Sequence, residues 1–77
     1  MQFEVKVASS ARKHGISRSR IQQALNSQTF AATIPVSGSD PKIVHIGTDD
    51  RGVEIELIGV VLPSMLLIIH AMPTHYR

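Results

Sequence analysis

The sequence predicts an α+β domain: one strand, two short helices, then a mainly antiparallel β-meander. Three observations carry that prediction. Residues 2–7 alternate polar and apolar, the period of a half-buried strand. A short amphipathic stretch with its own capping residues comes next. Apolar runs then succeed one another, separated only by turn-forming residues, as in hairpin-connected strands.

In "QFEVKV", Phe3, Val5 and Val7 point one way and Gln2, Glu4 and Lys6 the other. "SSARKHG" reads as a short helical turn. Ser9 or Ser10 can accept the free backbone N–H groups at its start, and Gly15 can take the left-handed conformation that closes it. "ISRSRIQQALNS" opens a second helix with Ser17 as its N-cap. Ile16 and Ile21 are spaced as a hydrophobic staple. Ile21, Ala24 and Leu25 make a narrow apolar stripe, while Arg18 and Gln22 fall on a wetter side. Asn26 and Ser27 end the helix.

"TFAATIP" is a strand stopped by Pro35, and "VSGSDP" is a turn. "KIVHIGT" is a strand, and "DDRG" is a tight connection in which Gly52 can supply a positive φ. In "VEIELIGVVL", Val53, Ile55 and Leu57 share one face and Glu54 and Glu56 the other. The alternation is lost at Gly59, which marks a bulge or bend. "MLLIIHAM" is apolar on both faces, as a central strand is. By alternation, His70 shares a face with Leu66 and Ile68. The last three strands form the meander, the first strand joins the same sheet, and the helices cover one face.

A chain of 77 residues makes one domain, residues 1–77, and buries roughly 60% of its unfolded surface. Such a small core calls for support from a cross-link, a metal or a partner. The chain has no cysteine, which excludes disulfides and thiolate metal sites. A partner or a homo-oligomer remains, and a reducing cytoplasm fits. The start "MQFEVKV" has no basic region followed by an apolar run, so no signal peptide is expected. The longest apolar stretch, residues 60–69, is interrupted by Pro63 and Ser64 and falls short of the ~20 residues that span a bilayer. A soluble, cytoplasmic protein without a membrane partner is expected.

Lys and Arg number 8 against 6 Asp and Glu, for a net charge of +2. Placement matters more than the sum. Arg12, Lys13, Arg18 and Arg20 lie close together with His14 and no acid between them. A concentrated basic segment suits phosphate or an acidic protein partner. A solvated helix face is the plainer alternative.

At these residues the chain resembles a family. Arg12-Lys13-His14-Gly15-Ile16 before a short amphipathic helix, then Ile46-Gly47 and Arg51-Gly52 in a hairpin, then "LLIIHAM", is similar to the BrnT-type toxins of bacterial toxin–antitoxin systems. These belong to the RelE-like ribonucleases. The resemblance runs from about Ala8 to Ala71. It implies a RelE-like fold, an endoribonuclease that arrests growth, and neutralisation by a cognate antitoxin. The substrate implied is RNA, with ribosome-associated mRNA among the options. Two departures stand out. Where the family runs into Ser-Ala-Arg and a basic C-terminal helix, this chain has His70, Ala71 and Met72, then Pro73, and ends at Arg77.

RNA cleavage of that kind uses the 2′-hydroxyl as nucleophile and needs a base, an acid and cations for the phosphate. Four residues are the candidates for this chemistry: His70, His75, Tyr76 and Arg77. Histidine titrates near neutral pH, tyrosine transfers a proton or stacks, and arginine matches phosphate in a bidentate manner. Arg12, Lys13 and Arg51 are candidate phosphate contacts, and Arg18 and Arg20 candidate antitoxin contacts. His14 reads as a helix-end cation. His45, opposite Val44 and Ile46, has no assigned role. The histidine spacing matches no zinc site, so no metal or other cofactor is expected. Two other functions fit parts of the sequence. "HGISRSRIQQAL" could open a helix-turn-helix reader of DNA, and the basic segment could serve a protein-interaction module that cleaves nothing.

Overall fold

The computed structural model describes residues 4–76. Gln2 and Phe3 of the expected first strand and the candidate Arg77 lie outside the described residues. The elements are β1 (Glu4–Val7), a 3₁₀ turn (Ser9–Arg12), α1 (Arg18–Asn26), β2 (Gln28–Ile34), β3 (Lys42–Thr48), β4 (Glu54–Val61), β5 (Met65–Pro73) and a second 3₁₀ turn (Thr74–Tyr76). One mixed five-stranded sheet has the order β1-β5-β4-β3-β2. β2 to β5 form an antiparallel meander, one strand more than the three-strand meander that the short connections predict. β1 pairs parallel with β5, a geometry that needs a long connection, and here the rest of the domain supplies it.

Only one of the two expected helices is an α-helix. The other is a four-residue 3₁₀ turn. Gly15 at φ 72° ends it, with Gly15 N–H donating to Arg12 O at 3.0 Å. Neither serine caps it: Ala8 holds the N-cap position and no side chain bonds there. The neighbouring strand explains why. β1 stops at Val7, opposite Ile68, and the turn continues along the edge of β5. Ala8 N–H donates to Ile68 O at 2.8 Å and the Ser10 hydroxyl to Ile69 O at 2.9 Å, so Ser10 meets an edge carbonyl that would otherwise lack a strand partner.

α1 is built as its sequence suggests. Ser17 Oγ accepts from Arg20 N–H at 3.2 Å, and Ile16 and Ile21 are both buried. Ala11, Ile16, Ile21 and Ala24 pack against Ile55, Leu57, Ile68 and Ala71 of the sheet. Each fully buried Ile or Leu contributes roughly 1.5–3 kcal/mol, which places the stabilising core between α1 and β4–β5. The helix sits directly on β3: a Cβ on Gly47 would come within 1.9 Å of Ala24 O. His45 faces the same layer, buried, with Nε2 3.1 Å from Ala24 O. A carbonyl only accepts, so that nitrogen carries the proton. The opposite sheet face carries Val44, Ile46, Ile58, Val60 and Met72, all half-buried.

The break in alternation at Gly59 is a bulge, and its extra residue belongs to β5. Ile58 pairs with His70 and Gly59 with Ile68, which leaves Ile69 without a partner. The bulge reverses the facing of the β5 residues beyond it. His70 therefore leaves the face of Leu66 and Ile68, where alternation put it, and joins Ile58 and Glu56 on the side away from α1. No helix among the described residues is long and apolar enough to cross a membrane.

Candidate functional site

The 3₁₀ turn beside β5 presents the basic motif. Ala11 is fully buried and Ile16 nearly so, which pins the segment at both ends. Between these anchors Arg12 and Lys13 are exposed and His14 is half-buried. The left-handed Gly15 turns the chain back toward the core, so the motif projects from the sheet edge as a short loop.

The bulge brings His70 to the same place. Its ring lies 6.0 Å from that of His14, centroid to centroid, at 77°. β5 then ends at Pro73, and the second 3₁₀ turn is tied down by Thr74 Oγ1 donating to Glu54 Oε1 at 2.8 Å. That turn sets the Tyr76 ring 6.0 Å from His14 and 4.7 Å from His75. The early turn and the end of the chain's last strand and turn thus form one string of rings, His70–His14–Tyr76–His75, all edge-to-face. Tyr76 is 59% exposed, and His75 is exposed as well.

Glu56 completes the group from β4. Its Oε2 lies 3.3 Å from His70 Nε2. That nitrogen is buried and makes no hydrogen bond, so the contact is an ion-pair distance off the line of a hydrogen bond. It carries a full electrostatic attraction only when the ring is protonated.

The sequence singled out His70, His75 and Tyr76, and the structure brings them together. His14 is the link between them, although its position beside Gly15 suggested a helix-end cation. By alternation Glu56 falls only on the strand face opposite Ile55 and Leu57. No local signal identifies either, because the pairing register creates the juxtaposition. Arg12 and Lys13 border the cluster through the adjacent His14. Arg51 is exposed on the β3–β4 turn, and no described contact joins its side chain to the rings. Arg18 is exposed in the first turn of α1.

Arg20 is engaged within the fold. Its Nε donates to Asp49 Oδ2 at 2.8 Å. Asp49 Oδ1 accepts from Arg51 N–H and Val53 N–H, each at 2.9 Å, which shapes the hairpin turn. Burial of Asp49 opposes its ionisation and is the largest single influence on it. The Val53, Arg20 and Arg51 hydrogen bonds and the Arg20 charge together outweigh burial and hold the carboxyl below its ordinary 3.8.

Among the described residues no group of three His, Asp or Glu is placed to hold a metal ion, and no enclosed pocket forms. The ring cluster is a surface site. Comparison with protein-family models, with curated proteins and with solved structures finds no match to this chain.

Proposed function

We propose that this protein is a cytoplasmic, RelE-like endoribonuclease toxin of the BrnT type, held in check by a cognate antitoxin. One observation carries the reading: His14, from the early turn, and His70 and Tyr76, from the last strand and the turn after it, stand 6.0 Å apart in succession, with the exposed cations Arg12 and Lys13 next to His14 in the chain. An imidazole and a second imidazole or phenol are the acid–base pair that cleavage needs. His70 takes the proton of the 2′-hydroxyl, and that oxygen attacks the adjacent phosphorus. The P–O5′ bond breaks, and the leaving oxygen takes a proton from His14 or Tyr76. The products are a 2′,3′-cyclic phosphate and a 5′-hydroxyl. Arg12 and Lys13 hold the phosphate charge. Met72, in the family's Arg position, supplies none of this.

The test is expression with and without the neighbouring gene, together with purified protein on single-stranded RNA. Growth arrest and RNA ends of the stated kind are expected. His70→Ala should cut the cleavage rate by about 10²–10⁴-fold. An inert wild type, in cells and on RNA, sinks the reading.

The interaction module without cleavage is favoured by β2. This sheet-edge strand carries no charge and exposes Phe30 by 50% and Ile34 by 46%, so a partner strand could add there. An inert wild type that co-purifies with its neighbour would leave that function standing. The helix-turn-helix alternative finds less support, since the segment before α1 is a 3₁₀ turn rather than a helix.

A further inference from the structure

Within the nuclease reading, on which this inference rests, we infer that Glu56 is a positioning residue. It holds the His70 proton on Nε2, so that Nδ1 is the atom that accepts the proton of the RNA 2′-hydroxyl.

The two ring nitrogens are not equivalent. Nε2 is closed to solvent, yet the His70 side chain as a whole is 30% exposed, so the exposure belongs to the rest of the side chain. A nitrogen shut away from solvent cannot come within the 2.6–3.2 Å that proton transfer from a bound hydroxyl requires. Only Nδ1 can serve as the base.

The carboxylate decides which nitrogen is protonated. Glu56 Oε2 stands 3.3 Å from Nε2. An ionised carboxylate has only acceptor sites, and a neutral imidazole carries one N–H. A lone pair on Nε2 would lie close to the carboxylate oxygen, off the direct line, and be repelled. A proton there is attracted and leaves the Nδ1 lone pair free. The 3.3 Å approach is loose for a hydrogen bond, and catalytic contacts of this kind commonly tighten only when substrate is bound.

The strands fix the relationship. His70 pairs with Ile58, and Glu56 with Met72, so the two side chains are diagonal neighbours on one face. Without the unpaired Ile69, His70 would point at α1 and never meet Glu56. When Nδ1 takes the hydroxyl proton, the ring becomes a cation with both nitrogens protonated. Its charge is then offset by the Glu56 carboxylate. The ring returns its proton to solvent after the leaving oxygen has been protonated by His14 or Tyr76.

The experiment is nitrogen NMR of the histidine rings in the labelled full-length protein at about pH 9, well above the ordinary imidazole value near 6.5. Wild-type His70 should be protonated at Nε2 alone. In Glu56→Gln the carboxamide offers either an acceptor or a donor, so His70 should populate both tautomers. His45, whose Nε2 faces Ala24 O at 3.1 Å, should read the same in both proteins and serves as the internal reference. RNA cleavage by Glu56→Gln should show kcat lowered about tenfold or more, with KM nearly unchanged, since a mispositioned proton impairs catalysis without removing binding. Glu56→Asp, which keeps an acceptor, should restore the Nε2 tautomer and part of kcat. It also gives a second comparison if the Gln variant does not fold. A wild type protonated at Nδ1, or a tautomer ratio indifferent to Glu56, overturns this inference even if RNA is cut. The expected tautomers in a protein that cuts no RNA would instead sink the nuclease reading and leave only the hold of Glu56 on the ring.

Discussion

Asp49 and Glu56 belong to the same hairpin, and the chain surrounds them very differently. The Asp49 side chain is fully covered, and its oxygens accept from Arg20 at 2.8 Å and from two backbone N–H groups at 2.9 Å. Glu56 faces an imidazole nitrogen at 3.3 Å, and that nitrogen is buried without a hydrogen bond. Buried polar atoms are nearly always paired, and an exception calls for an explanation. The Asp49 group is a closed network. It ties α1 to the β3–β4 turn, and Gln23 Oε1 accepting from Asp50 N–H at 3.0 Å strengthens the tie. The His70 ring keeps unused capacity beside an open surface, which is where acid–base chemistry needs it. The Asp49 group should therefore govern stability and the His70 group activity.

The firmest way to break this comparison is at the helix seat. A Cβ on Gly47 would lie 1.9 Å from Ala24 O, and a backbone oxygen cannot swing aside as a side-chain tip can. Gly47→Ala should cost about 3 kcal/mol or more, a fall in Tm of roughly 12 °C or more for a domain of this size. A thermal melt within two or three degrees of wild type, on a scale where ~1 kcal/mol shifts Tm by 4–8 °C, would mean that α1 is not anchored as described.

Asp49→Ala comes next. It strands two backbone donors and the Arg20 guanidinium, and it should lower Tm by roughly 5–10 °C. Acid sharpens the contrast. Because the folded-state carboxyl titrates below its ordinary 3.8, the stability it contributes is present above that value. It is lost as pH falls through the lowered one. Wild-type Tm should drop in that window, and Asp49→Ala should drop less. An acid limb of equal steepness in both proteins would move the acid sensitivity to another group.

Much of this division was legible in the sequence, and the exceptions share one cause. Ser17, Ile16, Ile21 and Gly15 act locally, within one turn of chain, and each behaves as its residue type suggests. From Val44 to Gly47 in β3 and from Glu54 to Ile58 in β4 residues alternate, so their faces there come directly from period two. The readings that failed depended on a neighbouring element. Ser10 bonds across to β5 rather than capping its own turn. His70 changes face because Ile69 has no partner on β4. Arg20, a candidate antitoxin contact from its place in the basic segment, finds Asp49 through the way α1 lies over the hairpin. His14 and Glu56 enter the site by the same route. Local chemistry is written in consecutive residues. Register and helix placement come from the energy of the whole sheet and leave no local mark.

The smallest effect on stability, and the sharpest on binding, is expected at Arg12 and Lys13. Both are exposed on a turn anchored by Ala11 and Ile16, so replacing both with Ala should leave Tm within about 0.5 kcal/mol's worth of wild type. If they hold RNA phosphates, affinity for a single-stranded oligonucleotide should weaken most at low salt. Each lost phosphate contact lowers the slope of log affinity against log salt by ~0.7 on a single strand, so the double variant should be shallower by about 1.4. Lys42 provides the comparison. It is equally exposed, but it starts β3, on the far side of β4 from β5 in the sheet order. Lys42→Ala should leave the slope unchanged. An equal loss from either substitution would mean that RNA senses only the overall positive charge, and the ring cluster would lose its claim to be where the backbone is held.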